Sequence, residues 1–198
     1  ELQVNIMKLN VKSFFAMPMP TQPLGWFKKP VNSMADMKGL KIRVPDVPAY
    51  LAMPRACGAN TAPIAFAEVY LALQNGTVEA QENPLTTIEA KKFYEVQKHI
   101  VLTGHIVDHL NTVISSALWK KLSEEDRKIF TDVAQEAAAK ATAEIKVNEG
   151  KLVDFFKQKG LTVTEVNKDE FRDTVLKNVS FETFDYRKAD WERIQAVK

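Results

Sequence analysis

Gly39-Leu40-Lys41-Ile42-Arg43-Val44-Pro45 and Gln81-Glu82-Asn83-Pro84 are the stretches whose reading decides the fold of this 198-residue chain. Each reads as an apolar strand that ends on a polar side chain, a guanidinium fork at Arg43 and an amide at Asn83. Leu40, Ile42 and Val44 alternate with Lys41 and Arg43, which gives the first strand an apolar face and a basic one, and Pro45 stops it just past the arginine. Between the two stretches the pattern predicts a helix over Ala49–Cys57 ended by Gly58, a short strand over Ala62–Ile64 and a helix over Phe66–Gln74 ended by Asn75-Gly76. Thr77–Glu82 is then the next strand. Strands alternating with helices at this spacing predict a mostly parallel α/β sheet, in which ligands bind beyond the carboxyl ends of the strands. Arg43 and Asn83 therefore face one crevice, a place to hold a small acid.

Working outward, Asn10–Met17 reads as a strand running into Pro18, Pro20 and Pro23, an extended crossover that cannot continue a ladder. Ser33 and Asp36 have capping-box spacing, with Gly39 as a left-handed stop. On the far side, Thr86–Gln97 reads as a helix and Ile100–Thr103 as a strand. Ser123 with Asp126 marks another helix start, followed by an apolar stripe through Ile129, Phe130, Val133, Ala137, Ala141, Ile145, Leu152, Phe155 and Phe156 to Gly160. Unbroken from Glu124 to Lys159, that helix is about 54 Å long, more than one small domain needs, so it bridges two lobes or bends near Gly150. Leu161–Val166 reads as a strand, Asn167 with Glu170 caps a further helix, and Arg187–Val197 is helical.

Composition excludes several function classes. With 45% hydrophobic residues the chain can bury a real core. Its 27 basic residues nearly balance 25 acidic ones and form no basic face interleaved with aromatics, so no nucleic-acid partner is expected. Cys57 is the single cysteine, which rules out a disulfide framework within the chain and a multi-cysteine zinc site. No stretch is apolar and long enough to span a bilayer. The opening Glu1-Leu2-Gln3-Val4-Asn5 has no basic start followed by an apolar run, so a secretion signal is expected to be removed or upstream. There is no glycine-rich phosphate loop and no G-x-S-x-G elbow.

Each candidate residue has two readings on spacing alone. Arg43 either clamps a ligand carboxylate through paired charge-assisted hydrogen bonds or makes a structural ion pair at a strand end. Asn83 is a ligand amide or a turn residue before Pro84; Phe66 walls a pocket or fills the core; Gln22 donates to a ligand or satisfies its loop. His105, Asp108 and His109 resemble an H-x-x-E-H metal motif, but they follow Gly104 and an apolar strand where that motif requires a helix. A metal-dependent enzyme built on this cluster is one rival reading. A helical interaction module built on Ser123–Gly160, with no ligand at all, is the other.

Gly39–Pro45, Pro63-Ile64-Ala65-Phe66 with the helix that follows, Gln81-Glu82-Asn83-Pro84 and Lys92-Phe93-Tyr94-Glu95-Val96-Gln97-Lys98 together resemble the DctP-type substrate-binding proteins of TRAP transporters, in motif nearest to the sialic-acid and organic-acid binders. The resemblance implies a two-lobed α/β periplasmic binding protein, not an enzyme, that closes around a small organic acid and delivers it to membrane permease subunits, without a cofactor. It implies Arg43 as partner of the ligand carboxylate, Asn83 and Phe66 as site-lining residues, and Gln22 and Glu82 as further candidates. Thr21-Gln22-Pro23-Leu24-Gly25-Trp26-Phe27 departs from the sialic-acid binders, which carry a second ligand arginine there, and looks more like the T-Q-x-x-G-W-F stretch of the keto-acid binders. The lobes implied are residues 1–20 as strand and crossover of a first lobe, 21–108 as a second lobe, 109–148 as the return through the long helix, and 149–198 packing on the second lobe. The match covers roughly the C-terminal two-thirds of the family's length, so most of the first lobe is expected to lie outside these residues.

Overall fold

The computed structural model describes residues 11–18, 24–26, 31–106, 109–180, 184 and 187–196. In chain order its elements are β1 (Val11–Pro18), β2 (Leu24–Trp26), β3 (Lys41–Val44), α1 (Pro48–Ala56), β4 (Asn60–Pro63), α2 (Val69–Gln74), β5 (Ala80–Glu82), α3 (Leu85–Ala90), β6 (His99–Leu102), β7 (His109–Ser115), α4 (Ser116–Lys121), α5 (Glu124–Gln158), β8 (Thr162–Glu165), α6 (Lys168–Asn178) and α7 (Lys188–Gln195). They divide into two compact units, Glu1–Thr21 with Val107–Lys151 and Gln22–Ile106 with Leu152–Lys198.

In the first unit β1 and β7 pair antiparallel, with a register shift between Ser13 and Phe15. The Ser115 hydroxyl accepts from the Ala117 amide at 3.3 Å to start α4. Ser123 and Asp126 form the expected cap of α5: the Asp126 amide donates to the Ser123 hydroxyl at 3.0 Å, and that hydroxyl donates to the Asp126 carboxylate at 2.7 Å. The helix runs 35 residues without interruption through Gly150, its last residues, from Leu152, belonging to the second unit.

The second unit is a six-stranded sheet in the order β4-β3-β5-β2-β6-β8. All neighbours are parallel except β2, which pairs antiparallel with β5 and β6. Gly39, at φ +76°, makes the left-handed turn that launches β3, its amide donating to the Gly58 carbonyl at 2.8 Å. Ile42, Val44, Ala80 and Val101 pack on one side of the sheet with Leu51 and Met53 of α1 and Phe171 of α6. Ile100 packs on the other side with Val69 and Leu73 of α2, Ile88 of α3, Phe93, and Leu152 and Phe156 of α5. Side chains alternate along each strand, and Ala62, which packs against this second group, stands in register with Arg43, so Arg43 and its other neighbour Gln81 belong to that second face.

Several expectations are corrected. The predicted helix over Thr86–Gln97 is two pieces: α3 ends at Ala90, Lys92 takes a left-handed φ of 56°, and a 3-10 turn covers Phe93–Glu95. Phe66 opens a 3-10 turn, Phe66–Glu68, ahead of α2. β5 is only three residues because Val78 spends its amide on the Ala72 carbonyl, closing the end of α2. β2 and β7 were not expected as strands, since neither carries a long alternating run. On the basic face of β3 Lys41 is exposed, whereas Arg43 is only 4% exposed.

Candidate functional site

β3, β4 and β5 end side by side, and their ends bring Arg43, Phe66, Glu82 and Asn83 to one edge of the sheet. The Arg43 Nε–H donates to the Ile64 carbonyl at 2.8 Å, which fixes the plane of the guanidinium. Among the described residues, no acceptor is paired with its two terminal nitrogens. Burial pushes the Arg43 guanidinium down from its ordinary range, and the Glu82 carboxylate, itself buried, pushes it back up. The Phe66 ring lies 5.8 Å from Arg43 Cζ and 5.6 Å from Lys91 Nζ, and meets Phe93 edge-on with centroids 6.1 Å apart. At 40% exposed, Phe66 is not a core residue; Phe93 behind it is.

The Asn83 amide is held from behind. Its Nδ2 donates to Gln81 Oε1 at 2.5 Å, and Gln81 Nε2 donates to Gln97 Oε1 at 3.1 Å. Gln81 and Gln97 are fully buried, while Asn83 is half-buried. Neither glutamine was singled out in the sequence; Gln81 follows from the alternation that picks out Arg43, whereas Gln97 has no local signal. Gln22 lies outside the described residues.

Two other features carry less chemistry for an acid. A cavity of about 410 Å³ in the second unit is lined by Met53, His105, Phe171, Val175, Trp191 and neighbours, and includes none of Arg43, Phe66 or Asn83. Arg172, one of its two cations, is already engaged by Asp169 and Asp173. His105 Nδ1 is hydrogen-bonded to the Thr103 hydroxyl at 2.8 Å in an irregular segment, and His109 begins β7, so the two histidines share no helix. Asp108 lies outside the described residues. Among the described residues no cluster of His, Cys, Asp and Glu is placed to hold a metal, and no helix is long and apolar enough to cross a membrane.

Residues 21–183 match the family model described as bacterial extracellular solute-binding protein, family 7, the DctP family. The chain belongs to this family. Its relatives are binding proteins of transporters, not enzymes. The DctP chain is 44% identical over 147 residues to the sialic acid-binding periplasmic protein SiaP of Vibrio cholerae, covering 74% of this chain and 46% of SiaP. A TRAP periplasmic solute-binding protein of Polaromonas, solved bound to D-erythronate, superimposes with a TM-score of 0.93 at 31% identity, covering 100% of this chain and 65% of that one. Another, from Roseobacter denitrificans with bound 3-deoxy-D-manno-oct-2-ulosonic acid, gives 0.93 at 30% identity over 100% and 67%. The DctP chain thus spans about half the length of its curated relatives and about two-thirds of these structures.

Proposed function

We propose that this DctP chain is part of the periplasmic substrate-binding subunit of a TRAP-type secondary transporter, which captures a small organic acid through an Arg43–carboxylate salt bridge and delivers it to membrane permease subunits. The observation that carries this reading is the buried guanidinium whose Nε is fixed while its terminal nitrogens have no acceptor among the described residues. Holding a guanidinium this buried with only its Nε hydrogen-bonded is costly. A carboxylate removes that cost, because its two oxygens match two parallel N–H groups of the guanidinium.

The surrounding groups suit a polyhydroxylated acid. Phe66 offers an exposed ring for the C–H face of the carbon chain, Asn83 offers an amide for a hydroxyl or carboxyl oxygen, and Glu82 balances part of the arginine charge before ligand arrives. Gln22 is retained as a further polar reader on the strength of the resemblance. The acids bound by the Polaromonas and Roseobacter proteins, and the name of the Vibrio relative, belong to the same class of hydroxylated carboxylic acids.

The test is a thermal-shift panel on the intact protein with D-erythronate, 3-deoxy-D-manno-oct-2-ulosonic acid, sialic acid, keto acids and dicarboxylates, each beside its uncharged ester or amide. At a hundred times its dissociation constant an acid should stabilise by about 2.7 kcal/mol. At least one acid should shift the melting temperature and its uncharged counterpart should not. Equal shifts from an acid and its ester would contradict the carboxylate clamp.

A further inference from the structure

Gln97 is 1% exposed and its Nε2 has no hydrogen-bond partner among the described residues. A buried amide donor left unpaired is a cost to the fold, and an apolar side chain of the same shape avoids it. What Gln97 does accomplish is to accept, through Oε1, the Nε2–H of Gln81 at 3.1 Å. Gln81, 0% exposed, in turn accepts from Asn83 Nδ2 at 2.5 Å. The three amides form a line from the interior of the sheet's second face to the edge where Arg43 and Phe66 lie, and Gln81 is the register neighbour of Arg43 on the adjacent strand.

We propose that Gln81 and Gln97 are positioning residues for the ligand-facing amide of Asn83. The relay rests on the reading of Asn83 as a ligand group given above. Each amide in the line has its plane and polarity set by the one behind it, so Asn83 is committed before ligand arrives, with one Nδ2 hydrogen spent on Gln81. Oδ1 and the second Nδ2 hydrogen remain for the ligand, an acceptor and a donor side by side that suit a hydroxyl next to a carboxylate. The unpaired Gln97 donor is the stability the relay costs.

A double-mutant cycle tests this, read by titration calorimetry on the intact protein with whichever of D-erythronate, 3-deoxy-D-manno-oct-2-ulosonic acid or sialic acid shifts the melting temperature most. Gln81→Met should weaken binding about tenfold and Gln97→Met about threefold. Gln97→Met should change the melting temperature little, because it removes one buried unpaired donor, Gln97 Nε2, and leaves another, Gln81 Nε2, without its acceptor; it therefore carries the test if Gln81→Met folds poorly. In an Asn83→Ala background both glutamine changes should alter affinity by less than about twofold. Undiminished penalties in that background, or none in the parent, would overturn the relay while leaving the ligand role of Asn83 intact. If Asn83→Ala alone leaves binding unchanged, the ligand role fails and the relay with it; if no acid shifts the protein at all, the proposed function fails as well.

Discussion

On one face of the six-stranded sheet Ile42, Val44, Ala80 and Val101 meet helices α1 and α6 as hydrocarbon on hydrocarbon; on the other, Arg43 and Gln81 occupy the neighbouring rows and are as deeply buried, at 4% and 0% exposed. In these rows the first face needs only volume and apolar surface; the buried Glu82 carboxylate and Thr164 hydroxyl stand further along the strands on the same face. The second must also accommodate a guanidinium and an amide, and it meets part of that need with the Ile64 carbonyl and the Gln97 amide, while the Glu82 charge acts on the guanidinium. Well-packed apolar residues commonly replace buried charges at no loss of stability. Polar side chains kept where apolar ones would pack are there for something other than cohesion.

The comparison can be broken by measuring cohesion on each face. Phe156→Ala, which empties a fully buried ring position on the polar face, should cost about 3–5 kcal/mol in urea unfolding. A loss under about 1 kcal/mol would mean that this face is not packed as described. Ile42→Val, on the apolar face, should cost about 0.5–1.5 kcal/mol by the same measurement. A larger loss from Ile42→Val than from Phe156→Ala would invert the picture.

The smallest effect is chemical. Cys57 lies in the apolar-face core, where burial, with a contribution from Glu170, pushes its thiol up to about 11. Because the folded value lies above the unfolded one, the contribution to stability is complete below an unfolded value of about 8.5 and is lost as pH rises through the folded value. Unfolding free energy should therefore fall between about pH 9 and pH 11, and Cys57→Ala should flatten that decline. A thiol reagent at pH 8 should modify the native protein far more slowly than the urea-unfolded one; equal rates would contradict a buried thiol.

Much of both units was legible because the signals are local. The alternation in Leu40–Val44 located β3, Gly39 and Pro45 bounded it, and the Ser123–Asp126 and Asn167–Glu170 caps marked the starts of α5 and α6. The α3 break at Lys92 was not legible, because left-handed backbone there falls on a lysine where the sequence has no glycine to announce it. β2 is three residues held by partners on both sides, so its existence is a tertiary fact rather than a pattern. For the site, alternation singled out Arg43, but its burial to 4% exposed beside the Ile64 carbonyl and the Phe66 ring was not legible. Gln97 belongs to the site only through a bond to a residue sixteen positions away, which no spacing rule reports.

Titration calorimetry of Arg43→Ala and Arg43→Lys in the intact protein, against the acid that binds the parent, tests the carboxylate clamp most directly. Removing one partner of a buried charge pair costs about 2–5 kcal/mol, so Arg43→Ala should weaken binding by well over the tenfold that about 1.4 kcal/mol represents. Lysine keeps the charge but lacks the planar fork, and Arg43→Lys should fail to restore affinity. Both variants binding within about threefold of the parent would contradict the clamp.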